Sequence, residues 1–371
     1  MTGSVQLLVL PAGTTDEFAQ FYVLRNGTWH DVPLTTMPKL GGSKVREGVE
    51  RNLREVGGRI GAGSGPIALA ALHTKAVGYW DNLVPEGVRA AVAEALRESD
   101  GPPEILVHAH EGLEWIPWEL LNDGTEWLAV SCRIARMPIV PNGPVGEAAR
   151  HPVRNARSFL GREVIDAVDG ADYTEWSGSL RAVEKAGGDL RLFPPHGAED
   201  YPTIQDIKNA DCADLIHITC HGALDESGEP CLRLDPEEDL FSNVDVGTAR
   251  AMRFVPPGPL VFGNACSSAA TAGGDQEVTI TRGLGVAFFD RGASAFIGSI
   301  APVGKVMALR FATVFYRHLL EDELAVGEAL RLTKQDFAQH DAEDPSWLFY
   351  CLYGSPTSRF VPAATIAAPP P

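Results

Sequence analysis

From Asp189 onward, short apolar runs rich in β-branched residues alternate with segments of helical period. That alternation restricts this chain more than any other feature. The runs Leu190–Phe193, Ala213–Thr219, Pro259–Gly263, Ser294–Ile300 and Trp347–Tyr353 read as strands. Between them, Thr203–Ala210, Gly283–Asp290, Lys305–Glu321 and Val326–His340 read as helices. Strands that alternate with helices need a mostly parallel sheet with helices on both faces, so the expected class is α/β. In such sheets reactive groups collect beyond the carboxyl ends of the strands. Two strands are informative in this respect. One runs into Cys220-His221-Gly222, the other into Asn264-Ala265-Cys266.

The first third is a lobe of mixed character. Val5–Leu10 and Phe18–Leu24 are strand candidates, and Val45, Val49, Leu53 and Val56 share one helical face. Gly57-Gly58 is expected to stop that helix. The stretch Gly61–Pro66 resembles a phosphate loop, but no Lys-Ser/Thr pair follows, so it reads as a connecting loop. A helix over Glu86–Ser99 and a strand over Glu104–His110 complete the lobe. Pro138–Arg154, with three further prolines, is the expected junction, which places an N-terminal lobe at 1–150 and a second lobe at 151–360. Arg157–Gly187 shows only loose helical character, and the Ala/Pro-rich tail 361–371 is expected to be disordered. The N-terminus lacks a basic region before its apolar run, and no stretch approaches eighteen apolar residues, so neither a signal peptide nor a membrane span is expected.

Charge narrows the partners. Asp and Glu exceed Lys and Arg by 49 to 31, a net charge of −18, with no basic cluster, which argues against nucleic acid and anionic membranes. Six cysteines lie scattered without CxxC spacing. Reduced thiols in a cytoplasmic protein are the expectation. One of the six stands out by position, because a strand end fixes the backbone while small neighbours leave the side chain accessible. Cys266 would serve as a nucleophile if deprotonated, and His221, from a neighbouring strand end, would be its base and later the acid for the leaving amine. The N–H groups of Gly222 and Cys266 would form an oxyanion hole, worth about 3–4 kcal/mol per donor by analogy. Cys220 alternates with His221 and points to the opposite face, so it is not the partner.

Other constellations are weaker. His217 and His221 have zincin spacing, yet the segment is β-branched and lacks the Glu of HExxH. His217 is a packed neighbour of the site in this reading. His108 and His110 share a strand face without further ligands, and His196-Gly197 follows two prolines that mark a turn.

Taken together, His217-Ile218-Thr219-Cys220-His221-Gly222 and Gly263-Asn264-Ala265-Cys266 resemble the signature of CHAT-domain proteases, bacterial relatives of caspases and separase. The resemblance extends to Leu113–Leu121 with its Pro-Trp-Glu core, to Gly292–Ser299 with Pro302-Val303 and Phe315-Tyr316, and to Trp347–Gly354. It covers roughly 85–357 and implies a caspase-like sheet, with His221 and Cys266 as the catalytic pair and Gly222 as the oxyanion-hole glycine. A pseudo-protease half is one reading of 1–150, although residues 1–80 resemble no named family and Arg157–Gly187 shows no clear opening strand. Relatives that cut after basic residues use a pocket acid, for which Asp275 and Glu277 are the candidates, with His217 beside them. A pocket built from Phe262 or Trp347 would instead be apolar. The resemblance implies a cysteine endopeptidase without cofactor or metal, acting on a partner protein. It would stay latent until a partner or ligand orders Ala270–Glu277, as an effector in bacterial defence or cell death. A non-catalytic CHAT-fold scaffold and an acyl transferase with the same dyad are the alternatives.

Overall fold

A computed structural model of the chain describes residues 4–11, 19–25, 28–32, 42–61, 65–109, 113, 116–137, 149–166, 170–193, 201–210, 213–224, 230–235, 241–242, 254, 258–266, 281–341 and 344–363. The described chain opens with β1 (Ser4–Pro11), β2 (Ala19–Arg25) and β3 (Thr28–Asp31). Alternation sets the inner face of β1, where Val5, Leu7 and Val9 are buried. Helices α1 (Gly42–Gly61), α2 (Gly65–Leu83) and α3 (Glu86–Glu98) follow, then β4 (Glu104–Ala109), the short α4 (Leu128–Ser131) and β5 (Arg133–Arg136).

Two expectations fail here. Helix α1 passes through Gly57-Gly58 and ends at Gly61. The intrinsic cost of a helical glycine is about 1 kcal/mol. Burial of Val49, Leu53 and Val56 outweighs it. A Cβ on Gly57 would lie 3.2 Å from the Pro302 Cβ, so the glycine also permits a close approach. Helix α2 has no counterpart in the sequence reading. Its buried stripe includes the small residues Ala68 and Ala76, which give little hydrophobic contrast, beside Leu72, Tyr79, Trp80 and Leu83.

The chain then runs through β6 (Arg150–Val153), β7 (Asn155–Leu160), α5 (Arg162–Ile165), α6 (Gly170–Leu180), α7 (Ala182–Lys185) and β8 (Asp189–Phe193). It continues with α8 (Ile204–Lys208), β9 (Leu215–Leu224), β10 (Pro230–Arg233), β11 (Phe241–Ser242) and β12 (Leu260–Cys266). After α9 (Thr281–Asp290) come β13 (Ala295–Ser299), α10 (Lys305–Tyr316), α11 (Val326–His340), β14 (Tyr350–Gly354) and β15 (Arg359–Pro362). A capping box in which Thr203 and Asp206 satisfy each other's backbone N–H starts α8.

Among the described residues, thirteen strands form one sheet in the order β11-β10-β9-β12-β13-β14-β5-β4-β1-β2-β3, with β7 paired to β9 and β8 to β7. Pairings among β7, β8, β9, β12 and β13 are parallel, as are β1–β4, β4–β5 and β5–β14. β13, buried at every position, reads as a continuous apolar run, as an interior strand must. Among the described residues no helix is long and apolar enough to cross a membrane.

Four boundaries differ from expectation. Strand β7 forms where only loose helix was expected. Its Arg157 and Ser158 break the apolar pattern, yet Arg157 pairs with Asp189 at 2.9 Å and Ser158 is buried. Strands β9 and β12 run on through His221-Gly222 and Cys266, because β9 gains β10 as an antiparallel neighbour beyond Thr219. Residues 345–349, including Trp347, form a 3-10 turn before β14. Finally, Val361 and Pro362 belong to β15, which pairs with β6.

Candidate active site

Strands β9 and β12 are parallel neighbours, and their register sets His221 opposite Cys266 as the last Cα pair of the ladder, at the carboxyl end of β12. These two positions lie 45 residues apart in sequence and come together only through the sheet. The His221 ring is buried, with 5% of its surface exposed. Its Nε2 faces the carboxylate of Glu163, a half-buried side chain in α5. The β7–α5 turn carries Glu163 there. The Gly161 N–H donates to the Thr219 carbonyl at 2.8 Å, and the Arg162 N–H to the Leu234 carbonyl at 3.0 Å. No side chain fits at Gly161: a Cβ there would sit 2.8 Å from the Leu234 oxygen and 3.1 Å from the Cys220 Cβ.

His217 lies in the core, four residues before His221 on β9. None of its surface is exposed, and rings of Trp176, Phe262 and Tyr316 surround it at 5.2–5.6 Å. Its Nδ1 is hydrogen-bonded to the Tyr316 hydroxyl at 2.8 Å and its Nε2 to the Thr219 hydroxyl at 2.5 Å. Burial pushes its pKa down to about 3, so the ring is neutral. The pocket role expected for it therefore fails for a steric reason. The apolar pocket candidates fail likewise, since Phe262 and Trp347 are buried in the core.

Gly222 stands inside β9 opposite Leu232 of β10, in a strand where a turn was expected. Asp275 and Glu277, with the whole stretch Ala270–Glu277, lie outside the described residues, as do His110, His196 and Cys212. Cys132, Cys220, Cys231 and Cys351 are buried. Burial pushes the Cys132 thiol up to about 12. His108 is lowered by burial and packs edge-to-face on Trp29, far along the sheet from β9.

Sequence reasoning missed Glu163. Its signal was available: a carboxylate two residues past a glycine, at the carboxyl end of a strand beside the histidine strand. Without β7, that signal had no frame.

A match to the CHAT domain family spans residues 79–359. No curated protein matches the chain. Among solved structures, the Saccharomyces cerevisiae separase–securin complex superposes with a TM-score of 0.52 at 10% identity, over 97% of this chain and 30% of that one. The complex of Porphyromonas gingivalis RgpB pro- and mature domains gives 0.45 at 12% identity, over 88% and 79% of the two chains. The Arg-specific cysteine proteinase gingipain R gives 0.46 at 12% identity, over 86% and 77%. The chain spans less than a third of the separase chain it matches. With a mostly parallel caspase-like sheet and a family match over more than half its length, this chain belongs to the CHAT-domain family.

Proposed function

We propose that the chain is a cysteine endopeptidase that hydrolyses a partner protein through Cys266 and His221. The observation that carries the reading is the register of β9 and β12, which pairs these two residues at the last rung of their parallel ladder. In this reading His221 carries its proton on Nε2, the nitrogen that faces the Glu163 carboxylate, so that Nδ1 keeps the lone pair and acts as the base. His221 takes the Cys266 proton, and the thiolate attacks the scissile carbonyl carbon. The resulting oxyanion is held by the N–H groups of Cys266 and Gly222. Collapse breaks the C–N bond, with the His221 proton passing to the leaving amine, and leaves a thioester. Water, deprotonated by His221, then releases the acid and restores the thiol. Glu163 stabilises the imidazolium throughout. A role as a latent effector in bacterial defence or cell death rests on family analogy alone.

Reactivity of the thiol tests this reading directly. Brief iodoacetamide labelling of the full chain, followed by peptide mapping, should modify Cys266 ahead of Cys132, Cys220, Cys231 and Cys351, which are buried. His221→Ala should slow Cys266 labelling at pH 7 by about 10-fold, since an unassisted thiol is only a few per cent thiolate there. Labelling of Cys266 that is insensitive to His221 would favour a non-catalytic scaffold and overturn the proposal.

A further inference from the structure

Helix α10 contacts the surroundings of all three groups of the proposed site through separate polar contacts. At its first residue, Lys305 Nζ donates to the backbone carbonyl of Glu163 at 3.0 Å. One turn later, the Ala308 carbonyl accepts from Asn264 Nδ2 at 2.7 Å. Asn264 stands two residues before Cys266 in β12 and is 1% exposed. At the far end, the Tyr316 hydroxyl bonds to His217, four residues before His221 in β9. Acid, nucleophile strand and base strand are thus each tied to one rigid element about 17 Å long.

The core does not require these contacts. Met307, Leu309, Phe311 and Phe315 already bury the helix against the sheet, and apolar packing tolerates small slides. Hydrogen bonds do not, because a buried amide or carbonyl left without its partner costs about 1–3 kcal/mol. Asn264 is held from a second side as well: the Tyr350 hydroxyl of β14 donates to its Oδ1 at 2.7 Å. In this register Asn264 pairs with Thr219, which is bonded to His217, so the row directly beneath His221 and Cys266 is polar and satisfied. Sheets rarely bury such a row without a use, since apolar side chains would pack there at lower risk.

We propose that Lys305, Asn264 and His217 are positioning residues, through which α10 sets Glu163, β12 and β9 at the separation that the reaction needs. None touches the substrate. Lys305 holds the turn that brings Glu163 to His221, and Asn264 fixes the height of β12 just before the nucleophile. His217 does the same for β9. The inference rests on the assignment of Cys266 and His221 given above.

The test is the pH dependence of Cys266 alkylation by iodoacetamide in the full chain, with thermal unfolding measured alongside. Lys305→Met and Asn264→Leu should each move the midpoint to higher pH and slow labelling at pH 7 by about 10-fold, the scale on which groups that orient a reacting side chain act. Lys305→Arg should restore the parent profile, since it keeps a donor for the Glu163 carbonyl. If Asn264→Leu fails to fold, Tyr350→Phe removes a single hydroxyl from the same carboxamide, with a shift in the same direction expected. Variants with a lowered Tm but an unchanged alkylation profile would overturn the proposal while leaving the dyad intact. Slow labelling of Cys266 in the parent chain would instead overturn the peptidase reading on which it rests.

Discussion

His217 and His221 stand four residues apart on one strand, yet burial gives them opposite work. His217 is enclosed on every side and neutral, while His221 meets a carboxylate near the surface of the site. The folded pKa of His217, about 3, lies below the ordinary 6.5, so the unfolded chain binds the extra proton between those values. Stability is therefore retained above pH 6.5 and lost as the pH falls toward 3, at up to about 1.4 kcal/mol per unit. Burial also lowers His151 and His108, which add to the acid sensitivity of the parent. His217→Gln should remove its own share of that slope. Urea unfolding at pH 7, 6, 5 and 4 measures it, and an unchanged slope would mean that His217 is accessible to protons in the folded state.

At the level of elements, the turn from β7 into α5 matters more than its length suggests. Gly161 is packed against the backbone of Leu234 and the side chain of Cys220, with no room for a methyl group. Gly161→Ala should cost about 1–3 kcal/mol by overpacking and displace Glu163 from His221. Thermal unfolding reads the first effect and the rate of Cys266 alkylation the second; a variant normal in both would show that this turn is not fixed by contact. Elements with strong periodicity were legible from residues alone: α3, α11, β4 and β13 lie within one or two residues of their expected bounds. β7 was not, because Arg157 and Ser158 interrupt its pattern, and Arg157 finds its partner Asp189 only after β8 is in place. Helix α2 escaped notice for a different reason. Alanines at its buried positions look the same as alanines anywhere else.

Across the whole molecule, the sheet depends on one seam. Strands β14 and β5 share a single register pair, Tyr353 with Arg136. Beside it, Arg136 grips Glu119 with bonds of 2.9 and 2.5 Å, both side chains being 5% exposed or less. Burial alone would raise the Glu119 carboxyl, but Arg136 carries it below the ordinary carboxylate range. Lys334 lies nearby with its Nζ on the Tyr350 carbonyl at 2.6 Å, its pKa lowered to about 8 by burial. Glu119→Gln would leave two buried cations without their counter-charge and should cost about 3–5 kcal/mol in urea unfolding. A loss under about 1 kcal/mol would show that packing alone holds the seam.

Residue order by itself determined the α/β class, the run of strands and helices after Asp189, and the two strand ends that carry His221 and Cys266. Those are local properties, written in hydrophobic period and in the small residues that follow each strand. Tertiary structure alone decided that His221 and Cys266 are register partners, that Glu163 reaches His221, and that α10 contacts the surroundings of all three. Each of those facts joins residues tens of positions apart. Period and composition describe how a segment meets water, whereas strand order and register arise from which segments pack together.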